Sequence, residues 1–238
     1  MCDLWGLSSN KPVRATKSLP LFAEKYSSIN PDGWGIAYYR NEKATIKKKP
    51  GLAKTSTEFF DIVDNARSNI IIAHLRYATQ GHACEENCHP FMRHEFNKDW
   101  VFAHNGNISH ITRHVQSLGR TDSEHAFHQL LDEIKSYTTE KTIGGIYPGL
   151  KSGIQNIFST YGKDIHLNFL MSDGSLLYAF NHYPAKPMYF IRNEKDFGGT
   201  VVVSTKKVGS GEWSKIPSDK VLVISNGEIL LLSDRLKV

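Results

Sequence analysis

Two kinds of hydrophobic pattern follow one another along the chain. Apolar runs and alternations typical of strands occupy both ends, and apolar residues at helical spacing occupy the middle. The predicted strands are residues 2–8, 34–39, 43–48, 69–78, 100–103, 165–171, 176–181, 188–192, 200–205, 221–224 and 228–232. Strands at both ends with helices between them, and no repeating strand–helix–strand rhythm, predict an α+β fold in layers.

Helix signals lie between and beside these strands. Thr55 and Glu58 have the spacing of a capping box, which predicts a helix over about 57–67. Residues 108–118 are predicted to be helical and to end near Gly119. A second capping box, Thr121 to Glu124, opens a further helix with an apolar stripe, and another helix is predicted over about 148–161.

Composition narrows the class of protein. With 238 residues, 40% hydrophobic and 22% charged, the chain has the composition of one globular domain, which we predict to span 1–238. We expect a cytoplasmic protein with no membrane partner, because we find neither a membrane-spanning apolar run nor a leader peptide. The net charge of +5 comes without a recognition motif, so we expect no nucleic-acid partner.

The first residues offer candidate chemistry. Cys2 becomes N-terminal if Met1 is removed, which is usual before so small a side chain. The residue then carries a thiol nucleophile and an α-amine whose pKa of about 7.7–8.0 suits proton transfer near neutral pH. Cys2 is therefore a candidate nucleophile that needs no histidine base.

Other reactive residues have more than one interpretation. Arg76 falls in a continuous apolar strand, where a guanidinium group needs a partner. This partner is either a carboxylate in a structural ion pair or a bound ligand. Three cysteines, an odd number, make a disulfide framework improbable. A zinc site built from His82, Cys84, Cys88 and His89 is disfavoured by the spacing of these residues, and we predict no metal site.

Several motifs in one order carry a family resemblance. They are Cys2-Asp3-Leu4-Trp5-Gly6, Asp32-Gly33-Trp34-Gly35, His74-Leu75-Arg76-Tyr77-Ala78-Thr79-Gln80-Gly81, Asn87-Cys88-His89-Pro90-Phe91, His104-Asn105-Gly106-Asn107 and Thr121-Asp122-Ser123-Glu124. This series resembles the class II glutamine amidotransferases of the N-terminal nucleophile (Ntn) hydrolase superfamily, and within them a stand-alone branch of small single-domain members. The resemblance implies a four-layer αββα sandwich of two antiparallel sheets between helix layers.

The same resemblance implies roles for the site residues. Cys2 attacks the γ-amide of glutamine, and the Asn105 side chain and Gly106 backbone N–H form the oxyanion hole. Arg76 and Thr79 bind the α-carboxylate. Asp122 binds the α-ammonium group, with a helix-dipole role as its alternative, and a simple turn is the alternative for Asn105-Gly106.

Five further residues are expected to support the site without touching the reacting atoms: His74, His89, His104, Trp34 and Gly35. Two segments depart from the family pattern. Cys88 stands where a threonine is expected, and Ser204-Thr205-Lys206-Lys207 replaces an expected Ser-Glu-Pro-Leu, so we assign that segment no role.

Three functions fit these residues. The first is glutaminase or amidotransferase activity through a Cys2 thioester; because no second domain is expected before Val238, the ammonia acceptor would be a separate synthase subunit or water. The second is hydrolysis of a γ-glutamyl peptide or conjugate. The third is a catalytically silent glutamine-binding regulatory domain. We expect no organic cofactor, and the sequence does not indicate the oligomeric state.

Overall fold

The computed structural model describes residues 2–137, 143–192 and 199–238, so the predicted removal of Met1 concerns a residue outside these ranges. The helices within them are α1 (Ser18–Tyr26), α2 (Thr57–Asn65), α3 (Asp122–Tyr137) and α4 (Ile143–Tyr161). The strands are β1 (Asp3–Val13), β2 (Gly33–Arg40), β3 (Lys43–Lys49), β4 (Ser68–Arg76), β5 (Phe91–Glu95), β6 (Lys98–Asn107), β7 (His166–Ser172), β8 (Leu177–His182), β9 (Tyr189–Arg192), β10 (Thr200–Ser204), β11 (Ser214–Lys215), β12 (Lys220–Ser225) and β13 (Glu228–Leu232).

The strands form two antiparallel sheets. The first has the order β11-β9-β10-β1-β4-β2-β3, and the second has the order β13-β12-β8-β7-β6-β5. The N-terminal strand β1 lies inside the first sheet, where Trp5 pairs with Ala73 of β4 on one side and with Ser204 of β10 on the other. The residue before β1 is therefore fixed by two neighbouring strands.

Successive residues of a strand point to opposite faces, and this alternation separates three apolar cores. Trp5 packs with Phe22 of α1 and Phe59 of α2 on the outer face of the first sheet. Leu4 points the other way and packs between the sheets. A third core joins α3 and α4 to the outer face of the second sheet. The four-layer αββα sandwich is confirmed, and no helix in the described ranges is long and apolar enough to cross a membrane.

The predicted helix over residues 108–118 is wrong. This segment is irregular, and its apolar side chains divide into two groups: Ile108 is buried and Ile111 packs partly against the α3–α4 core, whereas Val115 and Leu118 are 95% and 85% exposed. The second half of the segment therefore has no apolar face against a core, and packing of an apolar face is the main source of helix stability in proteins. The segment is instead tied down by polar contacts, including two backbone N–H groups, Leu118 and Gly119, that donate to the Glu124 carboxylate.

Other boundaries also differ from the predictions. Strand β6 continues through Asn107, so Asn105-Gly106 lies in a strand opposite β7 and not in a turn. Strand β5 lies in a segment for which the sequence predicts neither a strand nor a helix. Helix α2 is capped by Ser56, whose side chain accepts from the Phe59 N–H, and not by Thr55.

Candidate active site

Cys2 lies directly before β1 and is held through both its sulfur and its carbonyl group. The backbone N–H of Tyr77 donates to the sulfur at 3.3 Å, and the thiol lies 3.3 Å from the Tyr77 carbonyl oxygen. The Cys2 carbonyl oxygen accepts from Asn105 Nδ2 at 2.5 Å and from Lys186 Nζ at 3.3 Å. Burial raises the pKa of the thiol, whereas the Tyr77 hydrogen bond and the charge of Arg76 oppose that rise.

A small open cavity lies beside the thiol. It is lined by the start of the chain, the end of β4 and the loop after it, the end of β6 and the start of α3. The lining residues are Cys2, Arg76, Tyr77, Thr79, Gln80, His89, His104, Gly106, Thr121, Asp122 and Ser123. The structure thus brings five predicted site residues, Cys2, Arg76, Thr79, Gly106 and Asp122, around one space.

Arg76 ends β4 and is only 2% exposed. Its Nη2 donates to the carbonyl oxygens of Gln80 at 2.8 Å and Gly81 at 3.2 Å, and its Nη1 donates to that of His82 at 3.3 Å. Its hydrogen-bond partners among the described residues are carbonyl oxygens, and no carboxylate there pairs with it. A guanidinium group has five N–H donors, so it can hold this loop and still offer donors to an anionic ligand.

Asp122 is the first residue of α3 and faces the same cavity. One carboxylate oxygen accepts from the Ile108 N–H at 2.7 Å, and the other accepts from the Ser123 N–H at 2.8 Å. The preceding residue, Thr121, accepts from the Glu124 N–H and is the side chain that caps the helix. Asp122 is therefore not needed as the capping residue, and its carboxylate is buried next to the cavity with a fixed orientation.

Asn105 and Gly106 lie near the end of β6. The Asn105 amide donates to Cys2, and its oxygen accepts from Asn168 Nδ2 at 3.3 Å, which fixes which way the amide points. A Cβ atom at Gly106 would come within 1.8 Å of the His166 carbonyl oxygen on β7. Only glycine allows this approach of the two strands, so the position is determined by packing as well as by any role in the site.

Three buried histidines form a group at the cavity, and two of them, His89 and His104, belong to its lining. His74 donates from Nε2 to the His104 carbonyl at 3.1 Å, and its ring lies 4.1 Å from that of His89. His104 Nδ1 lies 2.8 Å from Ser123 Oγ. Burial lowers the pKa of His74 to about 3 and that of His89 well below its usual value. These two rings are therefore neutral near pH 7, which suits their packing against each other and the hydrogen bond that His74 donates.

The two remaining predicted residues lie outside the cavity lining. Trp34 packs edge-on against Phe59 of α2, with 5.4 Å between the ring centroids, on the helix side of the sheet. Gly35 lies under the loop before β5, where a Cβ atom would come within 2.0 Å of the His89 carbonyl oxygen. Gly35 thus allows the loop that carries His89 to approach β2, whereas Trp34 belongs to a core.

Cys84 and Cys88 are joined by a hydrogen bond, since the Cys88 thiol donates to the Cys84 carbonyl oxygen at 3.2 Å. Both are free thiols. In the parts of the chain that the structure describes, no group of three or more histidine, cysteine or acidic side chains is arranged to hold a metal ion.

Sequence reasoning missed several groups that shape the site. Asp32 accepts from the Ala78 N–H at 2.7 Å and so holds the loop after Arg76; its place in an Asp-Gly motif was the available signal. Gln80 donates to Asn107 at 3.0 Å and links that loop to the end of β6. Lys186 had no signal in the sequence, because it comes from a turn more than 180 residues after the cysteine that it contacts.

Comparison with known proteins bears on this geometry. The family model described as "Glutamine amidotransferases class-II" matches residues 1–225. The chain belongs to this family. Among its relatives is a protein of Haemophilus influenzae named "Putative glutamine amidotransferase", which is 29% identical to this amidotransferase over 233 residues. That alignment covers 94% of this chain and 77% of the relative.

Two further similarities concern structure and chemistry. The crystal structure of a "predicted glutamine amidotransferase from Pseudomonas aeruginosa PA01" is similar to that of this amidotransferase with a TM-score of 0.70 and 25% identity, covering 97% of this chain and 100% of that one. A shorter match, 29% identical over 83 residues, is to the "Gamma-glutamyl-hercynylcysteine sulfoxide hydrolase" of Mycobacterium tuberculosis. It covers 35% of this chain and 34% of that protein.

Proposed function

We propose that this amidotransferase hydrolyses the γ-amide of L-glutamine through a thioester on Cys2. After removal of Met1, the Cys2 α-amine accepts the thiol proton, and the sulfur attacks the amide carbon. The carbon–nitrogen bond breaks, the amine returns the proton to the leaving nitrogen, and ammonia departs. Water then attacks the γ-glutamyl thioester, so that glutamate is released and the thiol is regenerated.

The single observation that carries this proposal is the shared cavity of Cys2, Arg76 and Asp122. A free amino acid is a zwitterion, and a buried guanidinium group and a buried carboxylate at one cavity offer opposite charges for its two ends. The thiol lies in the same cavity, where the side chain of a bound glutamine would meet it. Thr79 adds a hydroxyl group at the exposed rim of the cavity.

Transition-state stabilisation is proposed for Asn105 and Gly106. The Asn105 amide already donates to the carbonyl of the residue that carries the thiol, so it lies close to where an oxyanion would form. Its partner Asn168 limits rotation of the amide group. A donor that is oriented before the reaction needs no reorganisation in the transition state, and removal of one such donor typically costs about 100- to 1,000-fold in rate.

The first experiment is an assay of glutamate and ammonia release from L-glutamine. The protein should be shown by intact mass to have lost Met1, and Cys2→Ala serves as the control. Turnover by the processed chain that is absent in Cys2→Ala supports the proposal. Full activity in Cys2→Ala would refute it, as would activity in a chain that retains Met1, because that chain has no α-amine on Cys2.

A second candidate is hydrolysis of a γ-glutamyl peptide or conjugate. It is favoured by the exposure of Tyr77, whose backbone contacts the Cys2 sulfur, so that the thiol side of the cavity is open to solvent, and by the partial similarity to a γ-glutamyl hydrolase. Parallel assays with L-glutamine and γ-glutamyl dipeptides, compared by kcat/KM, separate the two. If neither compound is cleaved, a catalytically silent glutamine-binding domain replaces both candidates. Activity that appears when a separate synthase subunit is added would instead support the amidotransferase function.

A further inference from the structure

Lys186 makes a contact that the proposed reaction does not use. Its Nζ donates to the Cys2 carbonyl oxygen at 3.3 Å, on the same atom that accepts from Asn105. Lys186 belongs to the turn between β8 and β9, which is closed by its own N–H donating to the Tyr183 carbonyl at 2.9 Å. The turn is joined to the oxyanion side of the site because Asn168 Nδ2 donates to the Lys186 carbonyl at 2.7 Å and to Asn105.

The residue after the nucleophile holds this lysine in place. Asp3 is fully buried, and its carboxylate accepts from Asn30 at 2.8 Å and from Thr205 at 2.9 Å. Two ammonium groups lie near the same carboxylate oxygen, Lys186 at 3.8 Å and Lys206 at 3.9 Å. A buried carboxylate needs such compensation, and one of the two lysines also reaches Cys2.

We propose that Lys186 is a positioning residue for the nucleophile: it fixes the Cys2 carbonyl together with Asn105 and places a positive charge near the thiol, while Asp3 anchors it. This inference rests on the proposed function in that it takes Cys2 as the nucleophile. The carbonyl oxygen and the sulfur belong to one residue, so the charge acts on the thiol within roughly the 8 Å over which charges are weakly screened.

The sign of the effect follows from charge. A nearby cation favours the thiolate over the thiol and the neutral amine over the ammonium form, so it lowers the pKa of both groups. The other charged neighbours of the thiol are the α-ammonium group at the start of the chain and Arg76, which act in the same direction, and Asp122, which opposes it. Those of Lys186 are Asp3 and Lys206 together with Cys2 itself. Removal of the Lys186 charge should therefore move thiol reactivity to higher pH.

The test measures alkylation of Cys2 by iodoacetamide against pH, without any substrate. Mass spectrometry of the Cys2 peptide separates its reaction from that of Cys84 and Cys88. We expect Lys186→Met to raise the apparent pKa of alkylation by about half a pH unit to one unit. Lys186→Arg should restore most of the wild-type profile, because it keeps the charge and a donor.

Lys206→Met is the matched control. Lys206 lies as close to Asp3 as Lys186 does, but its ammonium group otherwise lies over the Tyr26 ring and its backbone N–H donates to Ser204 Oγ; in the described parts of the chain no contact joins it to Cys2. We expect its alkylation profile to stay within about 0.2 pH unit of wild type, a limit well inside the shift expected for an adjacent charge. Equal shifts of the alkylation pKa in Lys186→Met and Lys206→Met would overturn the inference, since both lysines would then act only through Asp3. An unchanged alkylation pKa in Lys186→Met would overturn it as well.

Two additions keep the test decisive. Lys186→Gln is a second neutral variant, and loss of folding in both neutral variants would overturn a role confined to Cys2. The pH profile of kcat/KM on glutamine should show the same shift in its acidic limb. If the wild-type chain turns over no γ-glutamyl compound, the proposed function fails, yet the alkylation profiles still decide the role of Lys186.

Discussion

The substitution Arg76→Lys tests the proposed binding site for the glutamine zwitterion most directly. Two nitrogens of the Arg76 guanidinium group donate three hydrogen bonds to the carbonyl oxygens of residues 80–82. Lysine keeps the charge but has only three donors on one atom, so it cannot hold this loop and also form a forked pair with a carboxylate. We expect binding of the α-carboxylate to lose at least one charge-assisted hydrogen bond.

The magnitude follows from the number of donors lost. One hydrogen bond to a charged group contributes about 1.5–3 kcal/mol. Because about 1.4 kcal/mol corresponds to a tenfold change in affinity, KM for glutamine should rise about 10- to 150-fold in Arg76→Lys. The kcat value should change much less, because the carboxylate end of the substrate takes no part in bond breaking.

The assay is steady-state glutaminase kinetics with thermal unfolding of the same samples. Arg93→Lys is the matched control, since Arg93 is also a nearly buried strand arginine, with the Asp132 and Glu95 carboxylates and the His128 carbonyl as partners. It should lower the unfolding temperature but leave KM unchanged. The reasoning is refuted if Arg76→Lys keeps KM within about threefold of wild type, well short of one lost charged hydrogen bond, or if Arg93→Lys raises KM equally.

Three further predictions address other parts of the site. Asn105→Ala should lower kcat about 100- to 1,000-fold with little change in KM, and retention of wild-type kcat would remove Asn105 from the oxyanion hole. Gly35→Ala should lower the free energy of unfolding by about 1–3 kcal/mol in urea, because its Cβ meets the His89 carbonyl; an unchanged midpoint would contradict this. The pKa of His74 is lowered to about 3 in the folded protein, whereas in the unfolded chain it has its ordinary value of 6.5. Between these two pH values only the unfolded chain binds a proton at this residue. The free energy of unfolding should therefore decrease as the pH is lowered from about 6.5 to 3, by up to about 1.4 kcal/mol per pH unit. In His74→Gln, the free energy of unfolding measured in urea should depend less on pH in that range.

Most strands and the layered architecture could be predicted because their signals are local. Asn226-Gly227 has positive φ at both residues and closes the β12–β13 hairpin, as its sequence indicates. The continuous apolar run before Arg76 is the buried strand β4, paired on both sides. In each case the residues that determine the element lie within it.

The predictions of local structure fail where residues far away in the sequence determine it. Asn105-Gly106 has the composition of a turn, but pairing with β7, some sixty residues later, keeps it in a strand. Residues 108–118 have helical spacing, yet the carboxylates of Asp122 and Glu124 accept from backbone N–H groups of this segment or next to it. The gathering of Cys2, Arg76 and Asp122 could be expected only from the family resemblance, because spacing along the chain does not specify distances in space.

The central position of β1 has a consequence for synthesis. Trp5 pairs with Ser204, which emerges from the ribosome about 200 residues later. At roughly 5–20 residues per second, the first strand waits on the order of 10 to 40 s for that neighbour. During this interval the N-terminus is accessible to processing enzymes and to oxidants. Cys2, the proposed nucleophile, is therefore the first part of the site to be made and among the last to be enclosed, so the order of translation leaves time for the predicted removal of Met1 before the sheet closes.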